Sequence, residues 1–368
     1  MTENNTKILL ESYSPICPLV VIVEENICNT YMYLTKINID NSELEDSIPI
    51  LVTAWIRNHV GDKSSSLDKS TMESGLAPNL SGEFCNHPEG KQRFKATDLE
   101  CVWFEDGNGV ALLEKEEILC IISSWASKNY PPYSRDCIKE NSLAVPLLEE
   151  NILIDTVKKA QEFKEFIITD GCLESFIDER YELFETYLGE CIGSYASENK
   201  TAIINRILKF ESGDITYLIT ASASLHMQPT VELVTDIPED LRRVEVGLAI
   251  KTDIFKNNEI EIANMLSYTA LMPWRNITWI GHAHTIECFE VFSKDNSYPY
   301  GVFINSKEVN LLPQIEFPNF RGDPINLLWL TPISQKDFEF IKDQGIREFL
   351  NKAMQDERSL VLGINQIE

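Results

Sequence analysis

The chain has 368 residues and a formal net charge of −26 at pH 7, which gives a sequence pI near 4.6. A surplus of acids this large repels the phosphates of nucleic acids, which bind clustered lysine and arginine, so we predict no nucleic-acid partner. The same charge favours solubility and attracts basic proteins at long range. The length exceeds that of most single hydrophobic cores and predicts two domains.

The cysteines and the N-terminus indicate the compartment in which the protein acts. The nine cysteines include no Cys-x-x-Cys pair, and most lie in apolar runs, as Cys101 and Cys120 do. This pattern is typical of reduced, buried thiols. Residues 1–13 lack an apolar core of signal-peptide length, and no apolar run reaches the roughly 18 residues of a membrane span. We expect a soluble, cytoplasmic protein without membrane contact.

The N-terminal part of the chain shows the pattern of β-structure. Short β-branched and aromatic runs predict strands over residues 18–23, 30–34, 48–56, 99–105 and 110–113. The last two flank Asp106–Gly109, whose glycines and asparagine suit a hairpin turn. Residues 58–93 are rich in Ser, Gly, Pro and charge and predict a long surface loop, and a short helical piece is expected over 116–125. We predict a β-rich N-terminal domain, residues 1–146.

From residue 147 the apolar period changes to that of helices. Apolar residues at helical spacing predict one helix from Leu153 to Ile167 and a second from Leu173 to Leu188, which ends at Gly189. Five acids lie opposite the apolar stripe of the second helix, namely Glu174, Asp178, Glu179, Glu182 and Glu185. They are interpreted as a solvated face. Residues 147–190 are therefore predicted to be a helical connector between two domains.

The remaining residues, 191–368, are predicted to form an α/β domain. Strands are expected over residues 215–220, 231–234, 243–250, 277–290, 300–305 and 325–330. A helix is predicted over 259–270. A capping box at Ser334–Asp337 opens the last helix, in which each end of the motif satisfies a free backbone N–H. Gly345 is expected to interrupt that helix.

His282 and His284 form the most tempting site for a metal. On a strand, residues two apart share a face, and Cys288 and Glu290 would continue that face. A structural zinc site usually has four ligands, and no further ligands at zinc spacing surround this pair, so we predict no metal and no cofactor. An enzyme that uses His282 and His284 stays open as an alternative, as does a regulatory scaffold.

Signatures of catalytic sites are missing or incomplete in the sequence. His87-Pro88-Glu89 matches half of a zinc deaminase motif, but the Pro-Cys-x-x-Cys half is absent. No Gly-x-Ser-x-Gly turn presents a serine nucleophile, and no glycine-rich loop suits a phosphate. We predict a protein that is not an enzyme.

An ordered series of residues in the C-terminal half resembles the suppressor-of-fused family. The series contains Pro273-Trp274, Trp279–His282, Leu328–Ile333, Gly345 and Leu350, within a block from about Ser212 to Leu362. Residues 1 to about 190 are similar to the N-terminal extension of bacterial members, through Trp103–Glu105, Asp106–Glu114 and Ala144–Leu147.

The resemblance implies a mixed α/β fold without catalytic activity. Animal members of the family hold a transcription factor inactive by clamping an extended segment of it as an added strand. Bacterial members include proteins regarded as immunity proteins against secreted toxins, and this role suits a chain without a visible DNA-binding segment. The residues that bind the animal partner do not align position by position with this chain and are not transferred to it.

These observations combine into one prediction. The fold is α+β (mixed α/β), with two domains that contain β-sheets joined by a helical segment. The function is binding of another protein, as a bacterial immunity protein or inhibitor of a basic toxin; the oligomeric state stays open. The predicted partner-binding residues are Trp274, Trp279, His282, His284 and Asp323. Tryptophan is enriched at binding hot spots, but the alternative is that these residues belong to the core.

Overall fold

The computed structural model describes residues 6–37, 50–60, 79–127, 130–197, 203–287, 298–356 and 360–362. Half of the predicted loop over 58–93, residues 61–78, lies outside these residues, as do Cys288 and Glu290. Within the described part of the chain, none of the helices combines the length and apolar character needed to cross a bilayer. The structure confirms a mixed α+β fold with three sheets.

The chain divides into two compact units, Met1–Ile168 and Thr169–Glu368. Each unit has its own sheet structure and its own clusters of buried apolar side chains. The division into residues 1–146, 147–190 and 191–368 stays a prediction.

Unit 1 contains two largely antiparallel sheets. The first joins β1 (Lys7–Tyr13), β2 (Leu19–Glu25), β3 (Asn29–Lys36) and β4 (Ile50–Asn58) in that order. The second joins β5 (Leu99–Trp103), β6 (Val110–Glu114), β7 (Glu117–Ile122), β8 (Tyr133–Ser134) and β9 (Val145–Pro146). Helix α1 (Ile152–Ile168) packs Leu153, Val157 and Ala160 against residues of the second sheet. It begins after Asn151, whose side chain accepts from the N–H of Leu153 at 2.9 Å, as at a helix N-cap.

Unit 2 is built on one seven-stranded sheet of order β10-β11-β12-β13-β16-β15-β14. Its strands are β10 (Cys191–Ala196), β11 (Arg206–Ser212), β12 (Ile215–Thr220), β13 (Arg243–Lys251), β14 (Thr285–Glu287), β15 (Tyr300–Asn305) and β16 (Ile325–Ile333). Its helices are α2 (Cys172–Leu188), α3 (Thr252–Asn257), α4 (Glu259–Ala270), α5 (Met272–Asn276), α6 (Gln335–Gln344) and α7 (Ile346–Gln355). Short 3₁₀ helices in unit 2 cover Ala223–Leu225, Val231–Leu233, Pro238–Leu241 and Ser306–Glu308. Unit 1 has two more, Gly82–Phe84 and Ala96–Asp98.

The core of unit 2 is centred on β13 and β16, which are adjacent and parallel. All nine residues of β16 are buried, and eight of nine in β13 are buried. Strands buried on both faces occur where elements cover both sides of a sheet. Polar residues that fall within these strands are therefore forced to find partners inside the protein.

Three local predictions are wrong. Residues 231–234 were expected to be a strand but begin with a 3₁₀ helix, and residues 116–125 contain strand β7 rather than helical structure. The strand expected over 277–290 is confined to Thr285–Glu287 among the described residues. Positive φ angles at Ile277 (54°) and Ala283 (73°) turn the preceding backbone away from strand geometry.

The N-cap half of the capping box predicted at the start of α6 is confirmed. The Ser334 hydroxyl accepts from the N–H of Asp337 at 3.1 Å and donates to its carboxylate at 2.8 Å. The carboxylate of Asp337 thus accepts from the hydroxyl of Ser334 rather than from its backbone N–H.

Replacement of Ser334 by alanine should lower the free energy of unfolding by about 1 kcal/mol, because it leaves an N–H at the helix start without its partner. Urea unfolding followed by far-UV circular dichroism measures this change. Gln335→Ala is the matched control, since it removes only an exposed bond to Glu339 and should cost at most about 0.5 kcal/mol. Equal losses in the two variants would contradict the capping role.

Candidate functional site

The segment that links α5 to β14 has an unusual backbone. Ile277 has φ 54° and Ala283 has φ 73°. A left-handed conformation is strained for residues other than glycine, and most of all for a β-branched one. Such strain persists only where the surrounding structure imposes it, so the contacts that hold this segment are informative.

Gln228 clamps the segment through both ends of its amide. Its Oε1 accepts from the N–H of Ile280 at 2.9 Å, and its Nε2 donates to the Ile280 carbonyl at 3.0 Å and to the Leu241 carbonyl at 2.8 Å. Next to it, the Trp274 indole donates to the carbonyl of Met227 at 2.8 Å. Trp274 is fully buried, so it anchors the segment from inside.

Trp279 and His284 form a half-buried aromatic pair. Their ring centroids are 4.2 Å apart with an interplanar angle of 61°, an edge-to-face arrangement. Gly281 makes room for the pair, because a Cβ at this position would lie 2.6 Å from Cζ3 of Trp279. Burial lowers the pKa of His284, although a hydrogen bond to the backbone of Trp279 opposes the shift.

His282 faces a different neighbour. Its Nδ1 accepts from the backbone N–H of Asn305 at 3.2 Å, which assigns the ring proton to Nε2. Burial lowers its pKa, and the carboxylate of Glu308 acts in the opposite direction. The Asn305 amide continues the network by donating to Asn326 Oδ1 at 3.1 Å, and Asn326 donates to the Asp240 carbonyl at 2.6 Å.

The two histidines do not share a strand face, so the geometry expected for a joint metal site is wrong. Ala283, with its positive φ, lies in a turn between them, and each imidazole has its own partner. In the part of the chain that the structure describes, no cluster of three His, Cys, Asp or Glu residues is arranged to hold an ion.

Asp323 is the centre of a buried ion-pair network. Its Oδ2 accepts from Arg243 Nε at 3.1 Å and its Oδ1 from Arg242 Nη1 at 3.3 Å. Arg243 is fully buried and also donates to the Leu225 carbonyl at 2.8 Å, and its guanidinium lies 4.9 Å from the ring centre of Phe320. The network ties the loop before β16 to the start of β13.

Glu245 is a second buried charge, which sequence reasoning missed. Its carboxylate accepts from the hydroxyls of Thr220 and Ser224, and from the N–H of Ser224 at 3.0 Å. Burial raises the pKa of Glu245, while these hydrogen bonds and the charge of Arg180 act against the shift. The signal in the sequence was a lone carboxylate within the apolar run of β13.

Arg180 lies beneath the same sheet and has aromatic neighbours. Its guanidinium is 4.4 Å from the ring centre of Phe176 and 5.7 Å from that of Phe317. Burial lowers its pKa, and the charge of Glu245 opposes that shift. Its Nε has no hydrogen-bond partner, so cation–π contacts and Glu245 stabilise this buried charge.

His226 predicts a pH dependence for unit 2. Burial, together with the charge of Arg243, lowers its pKa to about 3, against about 6.5 in an unfolded chain. The neutral ring therefore contributes stability above pH 6.5 that is lost as the pH falls toward 3. At pH 4.5 we expect this residue alone to remove about 2–3 kcal/mol from the free energy of unfolding.

His226→Gln tests that dependence, since carboxylates titrate equally in both proteins. Urea unfolding at pH 7 and pH 4.5 should show a loss that is smaller in the variant by about 2–3 kcal/mol. The two proteins should show matching changes between pH 7 and pH 8. Equal losses of the free energy of unfolding in the two proteins at pH 4.5 would contradict the lowered pKa of His226 as their cause.

The five predicted partner-binding residues thus gather at one end of the unit 2 sheet but differ in exposure. Trp274 and Asp323 are buried, while Trp279, His282 and His284 are half-buried. Three amide side chains hydrogen-bond the segments at this end of the sheet to one another, and the sequence did not predict them: Gln228, Asn305 and Asn326. A direct contact with a partner stays a prediction for all five residues, and the two buried ones also hold the local structure.

Strand β14 follows directly after His284 and is the last strand in the order of the seven-stranded sheet. Its register with β15 pairs Thr285 with Val302, Ile286 with Gly301 and Glu287 with Tyr300. In an antiparallel ladder, hydrogen-bonded and non-bonded pairs alternate. The N–H of Phe303 donates to the carbonyl of His284 at 2.9 Å, so His284 and Phe303 form a hydrogen-bonded pair. By alternation, the pairs of β15 with Thr285 and with Glu287 are non-hydrogen-bonded. The backbone groups of Thr285 and Glu287 therefore point away from β15.

The C-terminal part of the chain is similar to one protein family. Residues 204–365 match the family model described as suppressor of fused protein (SUFU). A solved structure described as the Sufu-Fu complex crystal structure aligns with a TM-score of 0.38 and 14% identity, over 53% of this chain and 91% of the other. No curated protein matches the chain. Residues 204–365 form a suppressor-of-fused-like domain.

Proposed function

We propose that the protein is a protein-binding module that takes an extended segment of its partner onto the edge of β14. The observation that carries the proposal is the outward direction of the Thr285 and Glu287 backbone groups beside Trp279 and His284. Added strands gain affinity from main-chain hydrogen bonds and specificity from pockets for alternate side chains. A half-buried aromatic pair next to the edge supplies such a contact.

The strained backbone before β14 supports the same proposal. The Gln228 clamp holds Ile277–His284 in a shape that the segment would not adopt alone. A preorganised edge loses less conformational entropy on binding than a loose one. The family resemblance agrees, because animal suppressor-of-fused proteins clamp an extended segment as a strand.

We further propose that the partner is basic, and that the protein is a cytoplasmic immunity protein of a bacterium that neutralises a toxin by direct binding. The net charge of −26 would steer a basic protein toward the chain. Helix α2 contributes exposed acids to this field, namely Glu174, Asp178, Glu179 and Glu182. Inhibition by binding needs no catalytic residue.

A matched pair of variants at Glu287 tests strand addition. Glu287→Pro removes an outward N–H without breaking a β14–β15 hydrogen bond, whereas Glu287→Ala removes the charge and keeps the N–H. Wild-type protein and both variants, tagged, would be used to capture partners from host lysate at low and high salt. The captured partner would then be titrated against each protein by calorimetry.

The expected result is a basic partner whose affinity falls at least about tenfold with Glu287→Pro and less with Glu287→Ala. Amide hydrogen exchange at Thr285 and Glu287 should slow when the partner is added. A partner bound equally by all three proteins would contradict strand addition at β14. Binding that is insensitive to salt would contradict attraction by the acidic surface, and a partner that is harmless to cells would contradict the immunity role.

A further inference from the structure

Cys85 and Cys137 lie directly opposite each other in unit 1, although they are about fifty residues apart in sequence. They form an isolated antiparallel bridge outside the named strands. On one side of the bridge the N–H of Asn86 donates to the carbonyl of Asp136 at 2.7 Å. On the other side, the backbone N–H of the residue after Cys137 donates to the backbone carbonyl of the residue before Cys85 at 2.9 Å. The flanking residues make the hydrogen bonds, so the two cysteines occupy a non-hydrogen-bonded pair.

This position has the dimensions of a disulfide. The Cα atoms of a non-hydrogen-bonded antiparallel pair are about 4.5 Å apart, and their side chains lie on the same face. Disulfides are found with Cα separations of about 4.4–6.8 Å. Two cysteines on strands of the second unit 1 sheet offer a contrast. Cys101 and Cys120 both face Leu112 from opposite sides, so they are two strands apart and about 9–10 Å from each other.

The surroundings keep the two thiols close to each other and away from solvent. Cys85 is 2% exposed and Cys137 is 3% exposed, and both belong to the core cluster that contains Tyr31 and Trp55. In the reduced state each sulfur contacts a local carbonyl, that of Ser81 for Cys85 at 3.4 Å and that of Lys139 for Cys137 at 3.2 Å. Formation of a bond between the sulfurs exchanges these weak bonds for a covalent one.

We propose that Cys85 and Cys137 are a disulfide modification site, which a low-molecular-weight disulfide such as glutathione disulfide converts to a cystine. The thiolate of one cysteine attacks the glutathione disulfide, forms a mixed disulfide and releases one glutathione thiolate. The second cysteine attacks the mixed disulfide, which forms the Cys85–Cys137 bond and releases the second glutathione. Two cysteine thiols are oxidised, one glutathione disulfide is reduced, and the two thiol protons pass to glutathione.

Reaction of the folded protein should be slow. Burial, with smaller contributions from Cys137 and Asp136, raises the pKa of Cys85 to about 12, and burial also raises the pKa of Cys137. The thiolate is the attacking species, so little of it is present at pH 7.5, and the oxidant reaches it only when the bridge opens. The bond, once formed, closes a loop of about fifty residues and should raise the melting temperature of unit 1 by roughly 5 °C or more.

The test uses the full chain, reduced and then equilibrated with glutathione disulfide at pH 7.5. One sample stays folded and a second is refolded from urea in the same buffer, so that burial does not prevent reaction. After alkylation of free thiols, peptide mapping would identify every linked pair. The expected product is a linked peptide containing Cys85 and Cys137, with a raised melting temperature that dithiothreitol reverses.

Two variants complete the experiment. Cys137→Ser should abolish both the linked peptide and the rise in melting temperature, while Cys101→Ser should leave both intact. The wild-type comparison between oxidised and reduced forms does not depend on the folding of either variant. Free thiols at Cys85 and Cys137 after refolding in the redox buffer, or a bond from either residue to a different cysteine, would overturn the proposal. None of these outcomes depends on whether β14 binds a partner.

Discussion

Replacement of Asp323 by alanine should lower the free energy of unfolding of unit 2 by about 3–5 kcal/mol. The carboxylate accepts from both Arg243 and Arg242, and Arg243 is 0% exposed. Without Asp323, the guanidinium of Arg243 keeps its carbonyl partner at Leu225 but loses the carboxylate that pairs with its Nε. Removal of one partner from a buried pair costs far more than the pair itself contributes, because the remaining charge stays desolvated.

The matched control is Glu239→Ala, which removes a different carboxylate partner of Arg242. Its side chain is 50% exposed and lies 3.3 Å from Arg242 Nη1, so water replaces it at a cost of at most about 1 kcal/mol. Urea unfolding followed by tryptophan fluorescence measures both variants, since unit 2 contains three of the six tryptophans. Similar losses for Asp323→Ala and Glu239→Ala would show that the buried network contributes little.

The same variant separates structure from binding. If Asp323 acts only by holding the loop before β16, Asp323→Ala should weaken partner binding and stability together. Glu287→Pro should weaken binding alone, because Glu287 is exposed at the edge of the sheet. A stable Asp323→Ala protein that fails to bind would instead support the direct contact predicted for Asp323.

The elements that the sequence predicted well have strong local signals. Helix α4 and strands β12 and β15 match their predicted bounds, because periodicity and flanking turns are properties of a few neighbouring residues. Residues 231–234 failed because Thr230 has φ 62° and Pro238 follows closely, so the short apolar run forms a 3₁₀ helix with only Val231 buried. Residues 116–125 failed because Lys115, with φ 59°, turns the chain into a hairpin.

The candidate site depended more on distant residues and was less predictable. The tryptophans and histidines of 274–284 were visible in the sequence, but the Gln228 clamp that orders them comes from residues about fifty positions earlier. Glu245 lies between two valines of β13, a strand in which eight of nine residues are buried, and nothing in the local sequence shows what pairs with its carboxylate. Its partners at Ser224 and Arg180 become neighbours only after folding.

Replacement of Trp329 by alanine should lower the free energy of unfolding by a similar amount, about 3–5 kcal/mol. The indole is fully buried in the centre of β16, 5.8 Å from the ring of Tyr217, and donates to the Pro313 carbonyl at 3.1 Å. Gly247 pairs with Trp329 in the register of β13 and β16, and its missing side chain leaves room for the indole. A Cβ at Gly247 would lie 2.7 Å from two ring carbons, closer than real Cβ contacts allow. Gly247→Ala alone should therefore cost about 1–3 kcal/mol through overpacking.

A double-mutant cycle tests whether this fit is the cause. In the Trp329→Ala background the ring is gone, so Gly247→Ala should cost much less than it does in the wild type, and the two effects should differ from additivity by at least about 1 kcal/mol. Gly193→Ala on β10 is the control, since its Cβ would meet only Lys209 Cδ at 4.0 Å and should change stability by less than about 0.5 kcal/mol. Additive losses at 247 and 329 would show that glycine is required there for a reason other than the indole. A large coupling would show that the indole of Trp329 occupies the space that Gly247 leaves, which is a contact made only in the observed register of β13 and β16.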